Sequence, residues 1–245
     1  MTVPRRCERK EISLIRFVIA TAAAILLAGA TAAMAAPYTF SDHPSQDGRC
    51  IGDNGVGDID RSENACLAQI GEIAQRIGPG LQVKFGNGYT KIYLNEDARC
   101  QSDTAEGCVK YQLTGYFPEH NILLIEVDYW EGASWLLVWV NTGASEAIAA
   151  PPHYSPDKRW LASVASGEGP SGPPNGMDVV PTKPGPALKA WHFRTPDDGK
   201  WLYEFAGWEG NTRVKLVASS LREPRRTATP SIERRNGTWQ FREPP

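Results

Sequence analysis

The sequence is poor in the residues that hold most metals and perform most catalysis. It has four histidines in 245 residues, His43, His120, His153 and His192. None stands in an H-x-x-x-H or H-E-x-x-H spacing, so no zinc site is expected. The five cysteines include no CxxC-like pair, which argues against a thiolate metal site. There is no G-x-S-x-G elbow. The nearest match, Gly169-Pro170-Ser171-Gly172, is a Gly/Pro loop rather than a strand-to-helix turn. No glycine-rich loop opens a helix, so no phosphate cradle is expected. Basic residues form no block; Arg222–Arg226 is short and reads as a solvated loop, which speaks against nucleic acid. The expectation is a chain with no metal and no cofactor.

Long apolar runs are also scarce. There is one, Phe17 to Gly29, preceded by Arg5, Arg6, Arg9, Lys10 and Arg16 and followed by Ala33-Met34-Ala35. A basic start, an apolar middle and a small-residue exit read as a secretory signal over residues 1–35. The run falls short of the roughly 20 residues that span a bilayer, so no membrane span is expected after cleavage. Removing residues 1–35 takes five of the 26 basic and two of the 28 acidic residues. That leaves 21 against 26, a net charge of −5. The four cysteines left, Cys50, Cys66, Cys100 and Cys108, are even in number. In an oxidising compartment they pair. Three pairings are possible; short local loops favour Cys50–Cys66 and Cys100–Cys108. The expected location is the periplasm or the cell exterior.

Residues 36–80 read as a disulfide-linked cap, irregular at first and then helical. Ser62 is a candidate N-cap, and Cys66, Leu67, Ile70, Ile73, Ala74 and Ile77 recur at helical spacing up to Gly78-Pro79-Gly80. From Leu81 the period becomes two. Short apolar, aromatic-rich runs separated by Gly, Pro, Asn and Asp predict a mainly β body over residues 81–245.

That body carries a repeat. Pro118-Glu119, Pro156-Asp157 and Pro196-Asp197 are spaced by 38 and 40 residues. Trp160, Trp201 and Trp239 are spaced by 41 and 38. Glu131-Gly132, Glu168-Gly169 and Glu209-Gly210 trail the prolines by 13, 12 and 13. The units lie near 111–150, 151–190 and 191–228, with a partial unit at 229–243. Proline pre-sets φ at the second turn position and Asp bonds back to the backbone, so each Pro-Asp predicts a turn into a buried strand.

The stretch WVNTGASEAIAAPPHYSPDKRWLASV, Trp139 to Val164, resembles the repeat of the WD40-like β-propellers of the TolB type. Thr142-Gly143 and Ser155-Pro156-Asp157 match that pattern, whereas Lys158 stands where the family has Gly. The resemblance implies a small or incomplete propeller-like body of three to four repeats: a four-bladed ring, an incomplete one that stays open, or one completed by another chain. A β-sandwich is the alternative. It also implies a protein or envelope partner and a non-catalytic role.

Within that frame the repeats would place Glu131, Glu168 and Glu209 on one face, with Trp130 and Trp208 beside two of them. Trp next to a carboxylate suits a sugar face, a basic peptide or a cation. Two further readings remain: a glycan-active hydrolase using a pair of these Glu residues, and a structural accessory domain that pairs with another chain through an uncovered apolar edge strand. Gly52 to Glu63 resembles a calcium loop only in part, because Gly52 and Val56 stand where oxygen ligands are needed.

Overall fold

The structure is a computed structural model that describes residues 59–101, 106–130, 132–166, 176–183, 185, 190–194, 201–223 and 225–243. It is mainly β. Two short helices, α1 (Ile59–Ile70) and α2 (Asp97–Cys100), accompany sixteen strands among the described residues.

The strands form four antiparallel sheets, each built from consecutive chain. The first contains β1 (Ala74–Ile77), β2 (Gly80–Lys84) and β3 (Thr90–Leu94). The second contains β4 (Val109–Phe117), β5 (Ile122–Tyr129), β6 (Gly132–Trp139) and β7 (Ser145–Ile148). The third contains β8 (His153–Tyr154), β9 (Trp160–Ala165), β10 (Gly176–Pro181) and β11 (Trp191–Arg194). The fourth runs β12 (Trp201–Glu209), β13 (Arg213–Ser220), β15 (Ser231–Arg235) and β16 (Thr238–Arg242), with β14 (Thr227–Ala228) on β13.

Alternation along the strands explains how the sheets pack. In β5, Leu123 and Ile125 join a core with α1 and the first sheet, around Cys66, Ile70, Leu81 and Val83. Their neighbours Ile122 and Leu124 join a different core with Tyr154, Leu161 and Val180 of the third sheet. In β9, Leu161 faces that second core, while Trp160 and Ala162 enter a third core with Tyr203, Val214, Leu216 and Trp239 of the fourth sheet. The sheets therefore stack in chain order with a core between each neighbouring pair. Strands buried on both faces read as continuous apolar runs, which is why ILLIEV and WLASVA lack alternation. The fourth sheet has one buried face, and β13 alternates exposed and buried from Arg213 to Ala218.

The two ends of the stack are exposed. On the first sheet, Ile77, Ile92 and Leu94 are each about half exposed. On the fourth, Arg213, Arg235 and Arg242 converge on Glu233 at the surface. Among the described residues no core joins the fourth sheet to the first, so the stack does not close into a ring.

Two bulges set the parity of long strands. One in β4 between Leu113 and Gly115 sends Leu113 to the first core and Phe117 to the second. The other, in β12 between Phe205 and Gly207, turns Trp208 toward Val214 and the third core.

The helix differs from its expected extent. It begins at Ile59, so Ser62 lies inside it rather than at its cap, and it ends at Ile70. Ala74 to Ile77 form β1, which pairs Ala74 with Val83 and Ile77 with Gly80. Gly78-Pro79 is thus a hairpin turn and not a helix stop, and the boundary expected at residue 80 falls inside a hairpin. Tertiary pairing with β2 overrides the helical spacing of Ile73, Ala74 and Ile77.

Cys100 and Cys108 are disulfide-bonded. Cys66 is also disulfide-bonded; Cys50, its expected partner, lies outside the described residues, as do the signal over residues 1–35 and the Pro196-Asp197 turn.

Candidate functional site

The Ser155-Pro156-Asp157 turn joins β8 to β9 and closes on itself. Ser155 Oγ donates to Asp157 Oδ1 at 2.7 Å, and Lys158 N donates to Ser155 O at 2.8 Å. Lys158 adopts φ +55°, a left-handed conformation that favours glycine. Its ammonium pairs with Glu119 in the turn between β4 and β5. Burial, opposed by the Lys158 hydrogen bond, acts on Glu119, and its carboxyl ends below its ordinary value. In the same cluster His120 Nδ1 lies 3.0 Å from Tyr154 Oη. Asp157 N donates to Asn211 Oδ1 at 3.1 Å, in the turn between β12 and β13.

These contacts gather three turns at one end of the stack: Pro118–Asn121, Ser155–Arg159 and Gly210–Thr212. Glu209 borders the third and pairs with Arg213 at 3.0 Å. The other Glu-Gly turns leave from the opposite end. β5 meets β6 at Tyr129–Gly132, the far end of β5 from Ile122. β9 meets β10 at Ala165–Gly176, the far end of β9 from Trp160. At about 3.3 Å per residue, strands of this length separate their ends by roughly 17 to 23 Å. The turn after β5 and the turn after β12 therefore lie at opposite ends, and no one face holds both. Glu131 and Glu168 themselves lie outside the described residues. The repeat spacing misleads here because β11 joins the third sheet, making β12 the first strand of its own sheet rather than the second.

The two tryptophans part company as well. Trp208 is part-buried, donates from Nε1 to His153 O at 3.3 Å and meets Trp239 edge-on at 5.9 Å. Trp130 occupies the β5–β6 turn and is 62% exposed, next to Tyr129 at 49%. The same Trp-Glu-Gly sequence ends differently because Trp130 falls in the two-residue turn between Tyr129 and Gly132, while Trp208 is paired with Val214 and the bulge at Gly207 sets its face.

Trp130 follows Asp128 and Tyr129 at the end of β5, and Asp128 lines a groove of about 530 Å³. The groove lies between α1, the first sheet and β4, and its walls include Glu63, Arg76, Asn95, Asp97, Lys110 and Tyr111. Much of it is locked. Glu63 accepts from Arg76 Nη2 at 2.8 Å and Nε at 3.0 Å, and from Leu113 N at 2.8 Å. Arg76 also donates to Tyr111 O. Asn95 Oδ1 accepts from Tyr111 N at 2.8 Å. Burial raises the Asp128 carboxyl above its ordinary value, and the opposing pull of Lys110, its cross-strand partner, does not cancel it. The Tyr111 phenol is raised by burial and then by Tyr129 and Glu96. Behind it, Tyr93 lies 5.4 Å away ring to ring, and burial pushes its phenol up to about 12.

A second polar cluster ties the second sheet to the third. Asp178 on β10 is fully buried. Its Oδ1 lies 2.8 Å from His192 Nδ1 and accepts from Arg194 Nη1 at 2.7 Å, while Oδ2 accepts from Ala149 N at 2.7 Å. His192 Nε2 lies 3.1 Å from Glu146 Oε1 on β7. Both carboxylate oxygens of Asp178 thus fasten β10, one to β11 and the other to the backbone just after β7.

The groove carries no sequence motif, since its residues come from α1, β1, the β1–β2 turn, the β3–α2 link, α2, β4 and β5. Of the binding residues expected from sequence none lines it; Trp130 stands two positions after Asp128, which does. Glu63, the twelfth position of the partial calcium loop, is turned to Arg76 instead. No protein family, curated protein or solved structure matches this chain.

Proposed function

We propose that this is an exported, non-catalytic binding protein that holds a component of the cell envelope at the Trp130 end of the second sheet. The observation that carries this reading is Trp130 itself. Tryptophan is highly buried on average in folded chains, yet here it stands 62% exposed on a hairpin turn, beside half-exposed Tyr129. An exposed aromatic pair on a turn, directly following groove-lining Asp128 in the chain, suits a binding surface. Supporting export are the basic-apolar-small pattern of residues 1–35 and the Cys100–Cys108 disulfide, a bond of oxidising compartments. The TolB-like repeat is consistent with sheets of consecutive antiparallel strands, and with a left-handed backbone at Lys158, where that repeat carries glycine. On this reading the body is an open, propeller-like array.

The test is a cross-linking pull-down from the native envelope with the intact chain and with Trp130→Ala. Capture of an envelope component by the first and loss with the second is expected. Capture indifferent to Trp130→Ala, or none, overturns the assignment.

A second reading, a structural domain that pairs with another chain, draws on Ile77, Ile92 and Leu94. Ile92 and Leu94 flank Gly80, where an added Cβ would lie 2.7 Å from Ile92 Cγ2. β3 is an edge strand with this apolar face outward. Ile92→Lys with Leu94→Lys would abolish such pairing, read as a change in sedimentation when the partner is present, while leaving Trp130-dependent capture intact.

A further inference from the structure

We infer that the groove beside Trp130 takes a neutral, hydroxyl-rich ligand, a saccharide chain; this rests on the binding role proposed above. The chemistry of the walls narrows the ligand class. Glu63, Asp97 and Asp128 oppose Arg76 and Lys110, so the groove has a formal charge of only −1 and no field that would select a strongly charged ligand. The wall residues are mainly polar, and a lipid chain would leave them unsatisfied. What the groove offers is a set of polar groups at fixed positions. The Glu63–Arg76 pair is anchored to backbone at Leu113 and Tyr111, and Asn95 is anchored to Tyr111 N. Such groups bind with little ordering cost.

Asp128 adds a property suited to hydroxyls. Facing Lys110 across the strand pair, it places a carboxyl beside an ammonium. Hydroxyl groups donate to the first and accept from the second. Two residues beyond Asp128, in the β5–β6 turn, Trp130 stands 62% exposed. A pyranose has both complements, a rim of hydroxyls and a patch of C–H that lies flat on an aromatic ring. A polycation would match the carboxylates but meet Lys110 and Arg76; a polyanion would meet three carboxylates.

The test is an NMR titration of the intact ¹⁵N-labelled chain with four neutral tetrasaccharides, built of glucose, N-acetylglucosamine, galactose or mannose. Saturable shifts are expected with at least one, confined to the Lys110, Tyr111 and Asp128 amides and the Trp130 indole. Trp130→Ala and Asp128→Ala should each weaken binding about tenfold, the loss of one contact worth about 1.4 kcal/mol. Asp128→Asn, which keeps the shape, guards against an effect of misfolding and should weaken binding less than Asp128→Ala. Arg235→Ala, in the fourth sheet, should leave it unchanged. Shifts with none of the four, shifts elsewhere, or binding unaffected by Trp130→Ala overturns the inference. If the pull-down still captures an envelope component through Trp130, the binding role stands and only the saccharide fails. If saccharide binds but no envelope component is captured, the reverse holds.

Discussion

Glu63 and Arg76, thirteen residues apart, join helix α1 to strand β1 through two parallel hydrogen bonds of 2.8 and 3.0 Å. The same carboxylate reaches Leu113 N of β4 and the same guanidinium reaches Tyr111 O. One ion pair thus pins three elements and forms a wall of the groove. Its side chains are 12% and 24% exposed, so water screens it poorly.

Removing one partner leaves the other charge largely buried and Leu113 N unsatisfied. Glu63→Ala is expected to lower stability by about 3 kcal/mol. Urea denaturation followed by circular dichroism measures it; a loss below about 0.5 kcal/mol, the scale of an ordinary surface substitution, would contradict the assigned role.

Asp128 makes stability depend on pH in a direction opposite to most carboxylates. Burial raises its pKa from the ordinary 3.8, and Lys110 only partly offsets this. The folded protein therefore holds this proton more firmly than the unfolded chain. The contribution is present below pH 3.8 and is lost as pH rises through the folded pKa. Asp128→Asn should raise the Tm at pH 7, with the gain vanishing near pH 3. Thermal melts at both values check it; an equal gain at both would place the effect outside titration.

Gly207 sits at φ +131°, a conformation nearly closed to other residues. An added Cβ there meets nothing within 4 Å, so backbone strain alone is at stake. Gly207→Ala should cost more than about 1 kcal/mol. If the strand relieves strain by losing its bulge, Trp208 leaves the third core and the tryptophan emission shifts red. Emission unchanged together with full stability would refute the role given to the bulge.

Lys158 poses the converse case. Its left-handed backbone costs an ordinary residue about 1–2 kcal/mol. Lys158→Gly removes that cost, gives up an exposed ion pair with Glu119, and adds freedom to the unfolded chain. A net gain of about 0.5 kcal/mol is expected, because exposed pairs contribute little. A double-mutant cycle with Glu119→Gln separates the terms; a loss above 1 kcal/mol would mean the pair outweighs the strain.

The β character and many strand positions were legible because period two survives in LQVKF, RVKLVAS and TWQFR. The stacking was half visible. ILLIEV and WLASVA announce strands buried on two faces, but nothing in them says which neighbours cover each face. What escaped was parity. A bulge at Gly207 exchanges inside for outside at Trp208, and its twin sequence at Trp130 has no bulge. A spacing of near 40 residues cannot reveal a shift of one. The repeat also missed that β11 closes the third sheet, which moves Glu209 to the end opposite the turn after β5. Helical spacing at Ile73, Ala74 and Ile77 was genuine as a pattern; pairing with β2 won. The groove was invisible for a simpler reason. Glu63, Arg76, Lys110 and Asp128 are scattered over 66 positions, and only folding makes them neighbours.

An open stack of locally built sheets has a first and a last layer, as a closed ring does not. Each inner sheet is held by a core on both sides, whereas the fourth is held by one. Loss of the fourth sheet sacrifices a single core and leaves the others intact, but loss of the third sacrifices two. The chain is thereby given an order of unravelling from its ends inward. Amide protons of β15 and β16 should exchange with solvent long before those of β5. The second sheet, which carries Trp130, is one of the two inner layers sheltered from that erosion.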